Sequence, residues 1–426
     1  MQDATIAQAT TGPVGRFRWT ICGLIFAATT VNYVDRAIFG LLAPTLRQVI
    51  GWNDLEYSFI VVAFQGAYAI ALPAFGWFID RYGTKIGYTV SIVGWSLAAM
   101  GHALATGVWS FGIARGLLGL SEAGNFPCAI KSIAEWFPTK ERAFATGIFN
   151  SGANIGAVVA PAIVPFLVEH FQWYGAFLAT GALGFGWLVF WIIYYDPPET
   201  SKRVGKVELS FIQSDQEETV SEKIPWRVLL GHREAWAFVV GKFLTDPIWW
   251  FYLYWLPLFL NSRYGLDLTS LGLPIIVVYT LTSIGSIGGG WLSSWFIGRG
   301  WTLNRSRKLT MLGCAVLVVP IISAASISNL WVAVLIIGLA AAAHQGWSAN
   351  LFTITSDLFP KKAVGSLVGL GGMAGAAGGM LFTASTGFIL EFTGSYVSIF
   401  LIAGSVYLLA LLAIHLLVPR MKMLQL

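Results

Sequence analysis

Twelve long apolar segments run along this chain, at approximately residues 19–46, 56–78, 86–105, 108–134, 143–168, 173–194, 235–260, 272–297, 309–327, 330–356, 364–390 and 395–418. A helix needs about 20 such residues to cross the hydrocarbon core of a bilayer. With no water there to satisfy backbone N–H and C=O groups, a spanning segment must bond them internally as a helix. Of the 426 residues, 56% are apolar and only 11% charged, against roughly 25% charged in soluble domains. So few charges could not coat a soluble protein of this size, and 19 Trp, 29 Phe and 14 Tyr argue against disorder. The expected fold is an all-α integral membrane protein with twelve transmembrane helices.

The polar stretch at about 195–233, which holds Lys202, Arg203, Glu217 and Glu218, falls between the sixth and seventh segments. It reads as a cytoplasmic linker. The expected organisation is a tail over 1–18, a six-helix bundle over 19–194, the linker, a second six-helix bundle over 234–418 and a tail over 419–426. Charge asymmetry orients the chain, because Lys and Arg accumulate in cytoplasmic loops. With both termini inside, the cytoplasmic segments carry twenty Lys and Arg, including Arg16, Arg81, Lys140, Lys223, Lys308, Lys361 and Lys362; the other side carries Arg47 and Arg263.

Other classes fit poorly. A net charge of +5 comes without a basic run or an aromatic RNA-binding motif, so no nucleic-acid partner is expected. Cys22, Cys128 and Cys314 lie far apart in apolar stretches and read as small core residues, and no metal site is expected. The polar first fifteen residues show no removable signal peptide. No GxxxxGK[ST] loop points to ATP. An enzyme would need a nucleophile or metal cluster, and a receptor a soluble sensory domain; neither is evident.

The two halves echo one another. Phe137-Pro138-Thr139-Lys140 ends the fourth segment and Phe359-Pro360-Lys361-Lys362 the tenth, and a Gly-rich segment follows each. Such duplicated halves around a central cavity are a pattern of secondary transporters. The loop after the second segment reads Gly76-Trp77-Phe78-Ile79-Asp80-Arg81-Tyr82-Gly83-Thr84-Lys85, with a degraded copy from Gly290 to Gly300. Gly76 would allow close helix approach, and Asp80 at a helix end could pair in one conformation only. This loop resembles the GxxxDRxGR/K signature of the major facilitator superfamily. So do Arg115-Gly116-x-x-Gly119 and Gly152-x-x-x-Gly156-x-x-x-x-Pro161.

Charges inside spans narrow the reading, because each costs about 2.5–3.5 kcal/mol at a bilayer centre even on insertion scales and so usually serves a cavity. Asp35, Arg36, Arg115, Glu122 and Asp246 lie well inside segments. Arg115 and Glu122, seven apart, share one helix face, and Asn32 shares a side with Asp35 and Arg36. The four charges of the first and fourth segments are expected to converge on the cavity, arginine offering a fork for carboxylate and an acid carrying a proton. Lys242, nearer a helix end, reads as a snorkelling side chain. Asp246, before Pro247, reads either as a ligand or as a hinge cap. Lys131 and Glu135, at i,i+4, are expected to pair.

Asn32-Tyr33-Val34-Asp35-Arg36, Ser121-Glu122-Ala123-Gly124-Asn125-Phe126-Pro127 and Glu135-Trp136-Phe137-Pro138 resemble the anion:cation symporter family. Phe243-Leu244-Thr245-Asp246-Pro247-Ile248-Trp249, Trp255-Leu256-Pro257 and His344-Gln345 are similar to its hexuronate-transporter branch. The resemblance implies proton-coupled import of a hexuronate, glucuronate or galacturonate, across a bacterial inner membrane, by a monomer that needs a proton gradient and no other cofactor. Arg36 and Arg115 would bind the substrate carboxylate, Asp35 and Glu122 would carry protons, and Tyr33 and Tyr68 would meet hydroxyls. Trp255, His344, Gln345, Trp347 and Asn350 are candidates in the second half, His344 reading equally as a satisfied core histidine. Gly76, Asp80, Arg81 and Gly83 would gate. Asp35 is a departure, since some hexuronate carriers lack an acid there and galactonate-type carriers have one; galactonate or another organic anion is the alternative.

Overall fold

Apolar sequence becomes helix almost throughout the residues described by the computed structural model, 13–214 and 226–424; Glu217, Glu218 and Lys223 lie outside them, as do the side chains of Lys140, Lys361 and Lys362. Before the linker come α1 (Phe17–Ile50), α2 (Asp54–Tyr82), α3 (Thr84–Gly101), α4 (Val108–Glu122), α5 (Asn125–Trp136) and α6 (Thr139–Tyr194). Short helices α7 (Lys206–Gln213) and α8 (Trp226–Leu229) follow. The second half holds α9 (Arg233–Tyr254), α10 (Leu256–Tyr264), α11 (Leu268–Gly298), α12 (Leu303–Val318), α13 (Leu330–Leu358), α14 (Lys361–Thr393) and α15 (Val397–Leu417).

Boundaries follow local chemistry. Gly51 ends α1 in the left-handed region at φ +80, where a side chain would be strained. Asn53 and Glu56 close a capping box on α2. Pro138 and Pro360 stand at the N-caps of α6 and α14 with nearly equal backbone angles (φ −62 with ψ 153 and ψ 151), so the repeated Phe-Pro is also a repeated turn. Within α6, Gln172 breaks the helix at φ 58, turning one long helix into two rods.

Among the described residues, eight helices are long and apolar enough to cross a membrane, α6 counting once despite its turn. Taking its two rods separately, adding α3 and joining α4 with α5 and α9 with α10 is consistent with twelve passes. Outward-facing Trp109, Leu104 and Ile287 are more than 70% exposed, as suits side chains facing acyl chains. Close helix approach rests on glycine. A Cβ at Gly119 would lie 2.3 Å from the Phe64 carbonyl oxygen of α2, and one at Gly285 2.1 Å from that of Ala342 in α13. The expected close contact at Gly76 is absent: nothing lies within 4 Å of where its Cβ would be.

Across the halves, α2 packs on α14 and α6 on α11. The linker is not merely solvated. Ile212 and Glu208 of α7 are buried; Glu208 accepts the backbone N–H groups of Phe17 and Arg18, and Arg18 also pairs with Glu141. The C-terminal tail returns to α13 through Leu424 N–H to Leu358 O.

Candidate functional site

Helices of both halves enclose a cavity of about 500 Å³, walled by α1, α2, α5 and the start of α6, and by α9, α11, α13 and α14. Its lining runs from mid-helix residues such as Arg36 and Trp250 to Ile130, Lys242, Phe352 and Val368, nearer the helix ends on the side of the chain termini. At the other end, Tyr57 donates to the Tyr254 carbonyl at 2.7 Å and stacks edge-on with Trp255, joining α2 to the α9–α10 break. The cavity therefore opens toward the termini and is closed behind.

Arg36 stands in its wall. Its Nε donates to Glu122 Oε2 at 2.5 Å, both residues being buried. The guanidinium lies 5.0 Å from the Tyr33 ring centre, 4.7 Å from that of Tyr68 and 5.9 Å from that of Trp250. An aromatic cradle of this kind holds a cation by its ring faces while leaving N–H donors for an anion. One guanidinium nitrogen, Nη2, has no hydrogen-bond partner among the described residues, and neither does Glu122 Oε1.

The expected convergence of four charges on the cavity is corrected: of the four, only Arg36 lines it. Asp35 follows one position earlier, about 100° round the helix, and is buried where Glu122 and Arg115 are its charged neighbours and Thr180 stands beside it. Arg115 is wholly buried, donates to the Tyr254 hydroxyl at 2.9 Å and packs on Phe64 and Phe39. It belongs to the closed end.

In the second half, His344 and Gln345 line the cavity. His344 stacks on Trp249 and shares a 2.6 Å hydrogen bond with the Tyr407 hydroxyl. Trp255 and Asn350 do not line it. Asn350 donates to the carbonyls of Gly289 and Gly346, which ties α13 to α11, and Trp347 donates to Thr245. Sequence reasoning missed Asn150 and Asn154, whose i,i+4 amides in an apolar helix were the available signal, and it read Lys242 as snorkelling. Lys242 and Asp246 both line the cavity and pair at 2.6 Å.

At the rim, Asp80 pairs with Lys131 at 3.0 Å, and Lys131 also donates to the Ile79 carbonyl. Arg81 is exposed, and Gly83 caps α2 at φ +85. The expected Lys131–Glu135 pair is not formed: Glu135 instead accepts from Thr84 at 2.7 Å and from Tyr195 at 2.5 Å. At the matching place in the second half, Asp357 pairs with Arg307.

A bundle of long apolar helices whose two halves share a central cavity holding a few buried charges is the architecture of a membrane transporter. The Major Facilitator Superfamily profile matches residues 25–383, and the chain belongs to that superfamily. It is 32% identical over 385 residues to the hexuronate transporter of Escherichia coli K12, with 88% of each chain covered. It is 33% identical to the galacturonate transporter of Dickeya chrysanthemi, covering 71% of this chain and 90% of that one. Among solved structures, the xylose transporter XylE of Escherichia coli in its inward open conformation superposes with a TM-score of 0.76, at 14% identity, covering 95% of this chain and 97% of that one. These relatives are transporters, not enzymes, and the chain is a multi-pass membrane transporter related to carriers of sugar acids.

Proposed function

We propose that this protein is a monomeric proton symporter that imports a hexuronate, glucuronate or galacturonate, by alternating access. It would lie in a bacterial inner membrane with both termini in the cytoplasm, driven by the proton gradient without another cofactor. The observation that carries the reading is the buried Arg36–Glu122 pair, whose arginine lines the cavity. A proton on Glu122 cancels its charge and frees the Arg36 fork for a substrate carboxylate. Loss of that proton restores the pair and displaces the anion. Breaking a buried ion pair without replacement is costly, so anion and proton travel together. The related carriers of hexuronate and galacturonate support the substrate class. Asp35 favours galactonate as the second reading, and a D-galactonate transporter is also a relative, at 27% identity.

Purified protein in liposomes tests this by counterflow with labelled glucuronate, galacturonate and galactonate, followed by accumulation under an imposed pH gradient. Counterflow of a hexuronate and uphill accumulation that collapses with a protonophore are expected. Accumulation indifferent to the gradient would overturn proton coupling, and exchange of galactonate alone would overturn the hexuronate assignment.

A further inference from the structure

The second half brings its own ion pair to the cavity. Lys242 is buried on α9, its ammonium 2.6 Å from Asp246 Oδ2 one turn on and 4.4 Å from the centre of the Phe352 ring. Both residues line the cavity that Arg36 lines from the other side. Trp250, one further turn along α9, touches the Arg36 guanidinium. Lys242 therefore lies eight residues, about 12 Å, from the Arg36 contact, on the side of the cavity mouth. The backbone there is built around this carboxylate: a Cβ on Gly375 of α14 would come within 2.3 Å of Asp246 Oδ2. Pro247 also removes one backbone donor from the turn that follows.

We propose that Lys242 is a second anion-binding group of the cavity, contributed by the second half, which takes an organic carboxylate between Arg36 and the mouth by displacing Asp246. The proposal rests on the reading that the cavity carries organic anions. An ammonium that only snorkelled would turn to the membrane surface, whereas this one is fixed on an aromatic face inside the cavity wall. An ammonium offers three donors in no fixed plane, so an incoming carboxylate can share it with Asp246 before replacing that residue. Because the pair lies within one helical turn, the exchange needs no helix movement. Arg36 and Lys242 then act in sequence on one anion, each with a carboxylate of its own waiting to re-pair.

Equilibrium binding of glucuronate and galacturonate to detergent-solubilised protein, with melting profiles to establish folding, tests this in four variants. Lys242→Gln should weaken binding at least tenfold. Asp246→Asn should tighten it at least threefold, because the ammonium loses its competitor. The double variant Lys242→Gln/Asp246→Asn, which leaves two neutral groups that can still hydrogen-bond, should bind as weakly as Lys242→Gln alone. Lys242→Arg, which keeps the charge, should recover most of the affinity. A purely structural pair predicts the opposite pattern: Asp246→Asn as damaging as Lys242→Gln, and native affinity restored in the double variant. That pattern, or wild-type affinity in Lys242→Gln, would overturn the assignment while leaving the transport reading intact. Absence of binding by the wild-type protein would overturn both.

Discussion

Each half of the molecule places an ion pair at the cavity, but the two pairs are built differently. Of the first only Arg36 lines the cavity, with Glu122 buried behind it, whereas both Lys242 and Asp246 line it. Arg36 and Glu122 come from α1 and α4, 86 residues apart, and are both buried. Lys242 and Asp246 share one turn of α9. A pair that bridges two helices reports on how those helices sit, so its protonation can be felt by the packing. A pair within one turn opens by side-chain rotation and leaves the helix where it was. The rim shows a different contrast, in the kind of partner. Asp357 is held by the charge of Arg307, whereas Glu135, two residues before the equivalent Phe-Pro, is held by the hydroxyls of Thr84 and Tyr195. Duplication preserved the positions of the acids while the partners diverged.

The largest expected effect breaks the pair that bridges helices. Glu122→Gln fixes the protonated form, so exchange of labelled for unlabelled substrate should survive while gradient-driven accumulation falls at least a hundredfold. Retention of full accumulation would move proton carriage away from Glu122. Next come the close approaches that both halves share. Gly119→Ala and Gly285→Ala each push a methyl into a neighbouring backbone carbonyl, and each should cost about 1–3 kcal/mol, as overpacking does. Thermal melts that differ greatly between the two would mean that the halves are not equally tightly built.

Smaller effects separate the rims. Asp357→Asn leaves the largely buried Arg307 charge with a weaker partner, whereas Glu135→Gln keeps an acceptor for one hydroxyl and offers an N–H donor to the other. The first should lower the melting temperature by several degrees more than the second; equal losses would erase the distinction between charged and neutral latches. Smallest is the loop at Gly76 to Gly83. Asp80 and Lys131 are partly exposed, and such pairs contribute about 0.2–1 kcal/mol. Asp80→Asn should therefore slow uptake with little change in binding or melting. Gly76→Ala, which meets no neighbour, should stay within about 0.5 kcal/mol of wild type.

The helical membrane fold was legible because hydropathy repeats at bilayer length and because Phe137-Pro138 and Phe359-Pro360 mark equivalent turns. Arg36 was legible as well, since a charge in an apolar span is expensive enough to be informative. Other parts of the site were not. Spacing placed Arg115 and Glu122 on one helix face, but not which end of the cavity would be closed, and Arg115 lies on the closed side. The i,i+4 spacing of Lys131 and Glu135 promised a pair, yet a neighbouring helix brought Asp80 and a carbonyl to the lysine, and such tertiary competition is invisible along one helix. The same spacing in Lys242 and Asp246 does form a pair; proximity to a helix end had suggested snorkelling instead. Burial of Ile212 and Glu208 within a polar stretch had no periodic signal to announce it.

The contact made by Glu208 has a consequence for biogenesis. The first two backbone donors of α1, at Phe17 and Arg18, are satisfied by a carboxylate about 190 residues later in the chain. At roughly 5–20 residues per second of synthesis, α1 is made about ten to forty seconds before its cap exists. During that interval its first turn must borrow hydrogen bonds from water or lipid headgroups at the membrane surface. Its final hydrogen bonds thus wait on a residue that lies beyond the end of α6.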